Sequence, residues 1–207
     1  MAVTEENVKW LPKRVRIEQD CEPMSPRDWD NVGRMVCWHR RYNLGDEQPQ
    51  ESSREWLRNL AADKVNATDA DLIPSEHIER ILKKHFVILP LYLFDHSGIT
   101  MRCTPFSCPW DSGQVGYIYA EKDKLRKEQI PEDRWELILR QEVETYDHYL
   151  TGAVYSYVVE ALDYETGEYE VIDSCCGFFG HDIDENGMAD ALGYDDKLVS
   201  LLREAAI

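Results

Sequence analysis

Apolar positions recur along this chain with two different periods, and each period predicts its own kind of element. A spacing near 3.6 marks residues 131–151. There Trp135, Ile138, Leu139, Val143, Tyr146 and Leu150 fall on one stripe, as they do on a long amphipathic helix with one buried face. Pro131 suits a first helical position, Glu132 and Asp133 suit the positive end of the helix dipole, and Gly152 suits a stop. A second helix is predicted from Ser53, with Trp56, Leu57 and Leu60 on one face. A third starts at Pro74-Ser75-Glu76, buries Ile78, Ile81 and Leu82, and ends in Lys83-Lys84-His85. A short helix at 187–192 and a final one at about 195–205 complete the set.

Elsewhere the pattern is that of strands. Residues 86–94 are branched and aromatic, with Pro90 marking a bulge or an edge. Residues 99–103 and 113–120 read as its neighbours, and 15–18 and 35–38 as short strands. Val154–Leu162 and residues 169–173 predict a hairpin around Gly167. Residues 42–53 are polar and read as a surface loop. Strands outnumber alternating strand–helix–strand units, so the predicted fold class is α+β: a mainly antiparallel sheet with flanking helices. A length of 207 residues fits a single domain, 1–207, with residues 1–66 as the candidate for a separate layer on a core of 67–207.

Charge changes the picture more than composition does. The net charge is −17, and residues 151–207 hold 2 Lys+Arg against 13 Asp+Glu. Such a field repels nucleic-acid phosphate and anionic lipid, so direct binding to nucleic acid or membrane is not expected. It attracts basic surfaces, and the acidic positions Asp163, Glu165, Glu168, Glu170, Asp182, Asp184 and Glu185 are the candidate partner-binding residues. The apolar runs are shorter than the roughly 18 residues of a membrane span. The acidic start, MAVTEENVKW, lacks an export-signal core. The expected location is cytoplasmic, with the cysteines at 21, 37, 103, 108, 175 and 176 reduced.

Candidate chemistry is sparse. Asp95-His96-Ser97 holds the residue types of a hydrolytic triad, but neighbours in an extended segment point to opposite faces. With Gly98 the string reads as a turn. If His96 acts, its partner is distant: Asp111, Asp173 or Cys108. His96, Cys108 and Asp111 are therefore the candidate catalytic residues of a small hydrolase or transferase gathered at 95–98 and 108–113. Cys103, Cys108, Cys175 and His181 are weak zinc candidates, because their spacing is not that of a zinc knuckle. Asp182, Asp184, Asn186 and Gly187 match the opening of a calcium loop, but Gly193 stands where the bidentate Glu belongs. The string Trp38-His39-Arg40-Arg41-Tyr42 mixes stacking and phosphate-binding types, which the negative charge opposes. No cofactor is expected.

The strings VCWHRRYNLGDE (36–47), LPLYLFDHSGIT (89–100), FSCPWDSGQVGYIY (106–119), ETYDHYLTG (144–152) and DSCCGFFG (173–180) resemble a widespread family of uncharacterised proteins of bacteriophages, plasmids and other mobile elements. The resemblance implies an accessory protein of such an element. It carries no assigned activity and no site. The functional expectation is a non-enzymatic acidic protein that binds a basic host protein. An anti-restriction or anti-CRISPR inhibitor of a nucleic-acid-binding defence protein belongs to that class. The alternatives are the small hydrolase or transferase and a metal-stabilised binding module.

Overall fold

In the computed structural model, residues 2–4, 6–67, 70–193 and 195–206 are described, Leu72 by its backbone alone. The chain runs β1 (Lys13–Gln19), β2 (Arg34–Cys37), α1 (Ser53–Val65), α2 (Ser75–His85), β3 (Phe86–Asp95), β4 (Ile99–Arg102), β5 (Ser112–Glu121), α3 (Lys122–Lys127), α4 (Trp135–Thr151), β6 (Val154–Leu162), β7 (Tyr169–Phe179), α5 (Met188–Ala191) and α6 (Asp196–Ala205). The fold is α+β, and every strand ladder is antiparallel.

The chain divides into two compact units. One is Ser25–Leu150; the other joins Met1–Met24 to Thr151–Ile207. The boundary considered at residue 66 lies inside the first of these. The division falls elsewhere because β1 pairs with β6, a strand that comes only after residue 150. Pairing partners of such large sequence separation leave no local trace in composition.

In the unit Ser25–Leu150 the sheet order is β2-β5-β3-β4. The alternation along β3 sends Val87, Leu89, Leu91 and Leu93 to one face and Phe86 and Ile88 to the other. On the first face α4 buries Trp135, Leu139, Val143 and Tyr146, the stripe that the 3.6-residue spacing predicts. On the second, α1 and α2 bury Trp56, Ala61 and Leu82 against Val36 and Tyr119. Pro90 is tolerated because β4 pairs only with Tyr92–Asp95, so β3 has no ladder on that side at Pro90; a register shift follows between Leu91 and Tyr92.

Two polar staples fix the loops to α4. The Arg27 guanidinium forks onto Asp46 at 2.7 and 2.9 Å and reaches Glu142 at 3.2 Å. Glu142 in turn accepts the backbone N–H groups of Val32 and Gly33. Asp147 accepts from the Thr100 hydroxyl and the Met101 N–H, which pins β4.

In the other unit the order is β1-β6-β7. Val15, Tyr157, Val159 and Phe178 form its core with Met188 and Leu202, which come from α5 and α6. On the sheet's other face Glu160 is held by Arg14 at 2.6 Å and Arg16 at 3.0 Å. Those hydrogen bonds, Arg14's first, pull the Glu160 carboxyl down to about 2. β7 is an edge strand with two irregularities against β6, one of them at Gly177, whose φ is +84°. Bulges of this kind twist an edge away from chance pairing.

Local differences from the sequence reading have local causes. The Ser52 hydroxyl, not that of Ser53, caps α1 by accepting from Glu55 N. Pro131 stands before a 3-10 turn, Glu132–Arg134, that leads into α4. α3 escapes periodicity because Leu125 is its one buried residue. β7 runs on to Phe179 rather than ending at residue 173, since its Gly-rich end is carried by backbone pairing with β6.

Candidate functional site

The hairpin between β3 and β4 carries the Asp95-His96-Ser97 string. His96 N donates to Gly98 O at 3.0 Å, and Ser97 takes a φ of +59°. The three side chains do not form a relay. Asp95 instead turns to the loop after β2, where it pairs with Arg41 and accepts from the Tyr42 hydroxyl at 3.3 Å. His96 meets the loop before β5: its Nδ1 lies 3.3 Å from Asp111 Oδ2. The same carboxylate oxygen accepts from the Cys108 thiol at 3.7 Å.

His96, Asp111 and Cys108 are thus brought together, with Asp111 in the middle. That order matters chemically. A thiol nucleophile needs an imidazole or another positive group beside it to become a thiolate. Here the group that the thiol meets is a carboxylate. The imidazole meets the same carboxylate oxygen. The arrangement ties two loops together.

Beside this corner lies an open cleft of about 340 Å³ whose lining includes His39, Arg41, Asp95, Trp110 and Asp111. His39 is set by its backbone: its Nδ1 accepts from the N–H groups of Arg41 and Tyr42, and its ring stacks on Tyr42 at 4.9 Å. That leaves Nε2 to carry a proton. Trp110 is 92 % exposed.

The remaining candidates lie in the unit of the chain termini, which holds 6 Lys+Arg against 18 Asp+Glu, a net charge of −12. The acidic positions do not form one patch. Glu165 and Glu168 are exposed at the β6–β7 turn, and Glu170 is exposed just inside β7. Asp182, Asp184 and Glu185 are exposed after the other end of β7. The nine residues of β6 separate the two groups by about 30 Å. Asp163 drops out of the exposed set. It is 3 % exposed, and its carboxylate accepts from Glu165 N and Thr166 N; the Glu165 bond is the main cause that lowers its pKa. A side chain that builds its own turn is not free to meet a partner.

The two ends also differ in cations. At the turn end, Lys9, Lys13 and Lys197 line a groove with Trp10, Asp195 and Asp196, so positive charge is interleaved there. At the other end, Asp20 N donates to Val154 O and Gly180 N to Ala153 O. This brings Asp20 and Glu22 to the same end as Asp182, Asp184 and Glu185. Arg203, on Asp184 at 2.9 Å, is the arginine paired there. Asp20 and Glu22 went unnoticed in the sequence, because only the β1–β6 pairing places them beside residues 180–185.

Comparison with protein-family models, curated proteins and solved structures finds no match.

Among the described residues no group of three or more His, Cys, Asp or Glu is placed to hold a metal ion. Cys103 and Cys108 fall in one unit, Cys175 and His181 in the other. His181 Nδ1 is 2.8 Å from the Tyr155 hydroxyl. The calcium-like string is a self-capped turn: Asp182 accepts from Asp184 N and Glu185 N, and Asn186 from Met188 N. No helix among the described residues is long and apolar enough to cross a membrane.

Proposed function

We propose that this protein is a non-enzymatic binder of a basic protein surface, and that its docking end is the one formed by Asp20, Glu22, Asp182, Asp184 and Glu185. The observation that carries the reading is the net charge of −12 on one unit, with five of its carboxylates at an end where Arg203 is the paired arginine. A field of that size speeds encounter with a positive partner, and local contacts then set the lifetime of the complex. The resemblance to proteins of phages and mobile elements adds a context. In it, the basic partner is a host protein that itself binds nucleic acid, such as a restriction or CRISPR nuclease.

The test is capture of partners from a bacterial lysate at low and at high salt, with the wild type and with Asp182→Lys/Glu185→Lys. The expected result is capture that falls steeply with salt and is lost in the reversed variant, while Glu165→Lys/Glu168→Lys retains it. Capture that ignores both salt and reversal at 182 and 185 defeats the proposal.

One observation favours a second reading, a small hydrolase or transferase: Asp111 joins His96 and Cys108 at one corner. The carboxylate beside the thiol counts against it. Rapid alkylation of Cys108 at neutral pH, faster than that of exposed Cys21, is what this reading requires.

A further inference from the structure

The cleft between the loop after β2 and the loop before β5 combines features that the acidic end of the other unit does not use. Its two carboxylates have different surroundings. Asp95 is matched by a fixed cation, Arg41. Among the described residues Asp111 has no arginine or lysine partner; its side-chain partners are the Cys108 thiol and the His96 imidazole. The residue before it, Trp110, presents its ring to solvent at 92 % exposure. A bare indole face next to a carboxylate without a fixed cation suits one chemical group above others. A planar guanidinium stacks on the ring and donates paired hydrogen bonds to the carboxylate.

Other ligand classes fit less well. An anion would find the Arg41 charge already taken by Asp95 and would meet Asp111 unshielded. A metal ion lacks its ligand set here among the described residues. The volume of about 340 Å³ is in the range of small-ligand clefts, and an added Cβ at Gly113 on its rim would meet nothing within 4 Å.

We infer that the Trp110–Asp111 cleft is a receiving site for an arginine side chain of a protein partner. Trp110 is the stacking face and Asp111 the carboxylate that the guanidinium meets. The inference takes from the proposed function only the basic character of the partner. The cleft itself is argued from its own residues.

The experiment uses the full chain and two small probes, N-acetyl-arginine N-methylamide and its neutral isostere N-acetyl-citrulline N-methylamide. Binding is followed by ¹⁵N NMR at the Trp110 indole N–H and the Gly113 amide. The arginine probe is expected to shift both signals, and the citrulline probe to bind at least about threefold more weakly. Asp111→Asn is expected to weaken the arginine probe by about three- to tenfold, and Trp110→Ala, read at Gly113, by a similar factor. Trp110 is exposed enough that its removal leaves folding intact, so a null result there cannot be blamed on misfolding. Equal binding of the two probes, or arginine binding that neither substitution weakens, overturns the inference. Failure of the probes leaves salt-dependent capture by the acidic end standing. Loss of that capture leaves the probe result standing.

Discussion

At Gly116 the side-chain volume available is that of a hydrogen atom. A Cβ there would run into the carbonyl oxygen of Val36 on the neighbouring strand. Gly116→Ala is therefore expected to cost about 1–3 kcal/mol through a forced shift between β2 and β5, measurable by urea unfolding. Close strand pairing thus accounts for the glycine at 116. Cys37 shows a different constraint. Burial pushes its thiol up to about 12, so it is expected to resist iodoacetamide at pH 8 under native conditions while exposed Cys21, Cys175 and Cys176 react. Mass spectrometry of the alkylated chain reads the difference. Glu160 makes a pH prediction with a definite sign. Its folded pKa, about 2, lies below the ordinary value of 4.5. The group therefore adds stability above pH 4.5 and loses that contribution as the pH falls toward 2. Glu160→Gln is expected to flatten the fall in Tm across that window.

At the scale of elements, α4 is the keystone of the larger sheet. It supplies an apolar stripe to one face and, through Glu142 and Asp147, fixes the loop before β2 and the strand β4. Leu139 is fully buried; Leu139→Ala is expected to lose about 2–5 kcal/mol, the usual range for a leucine cavity in a core. This helix was legible in the sequence because its spacing, its preceding acidic turn and Gly152 all agree. The polar staple was not. Arg27, Asp46 and Glu142 lie far apart in the chain, and a surface ion pair has the same residue types as a half-buried one. Only the side chain of Arg27, 6 % exposed, separates the two cases. α3 was also illegible, since a short helix with one buried residue has no period to detect.

On the scale of the whole molecule, the chain leaves one unit and later returns to it: β1 belongs with β6 and β7. A chain ending at residue 150 would leave β1 without a partner. In such a truncation the β1 amides are expected to exchange at unprotected rates. The β3 and β5 amides stay protected, because the strands they pair with lie within Ser25–Leu150. The same pairing decided the electrostatics. The seven acidic candidates lie between 163 and 185 in the sequence, and the pairing of β6 with β7 sets them at two ends. One end gains lysines, and the other gains Asp20 and Glu22.

The sequence alone determined the α+β class, the long amphipathic helix, the position of most strands and the strongly negative last quarter. Each of these is a local or additive property, readable from spacing or from a sum of charges. Tertiary structure decided which strands are neighbours, that Asp163 is buried in its turn, that Asp111 stands between His96 and Cys108, and where the negative charge gathers. These depend on pairing residues far apart in the chain. Such pairing is set by how apolar faces can be buried together, and no short window of sequence contains that information.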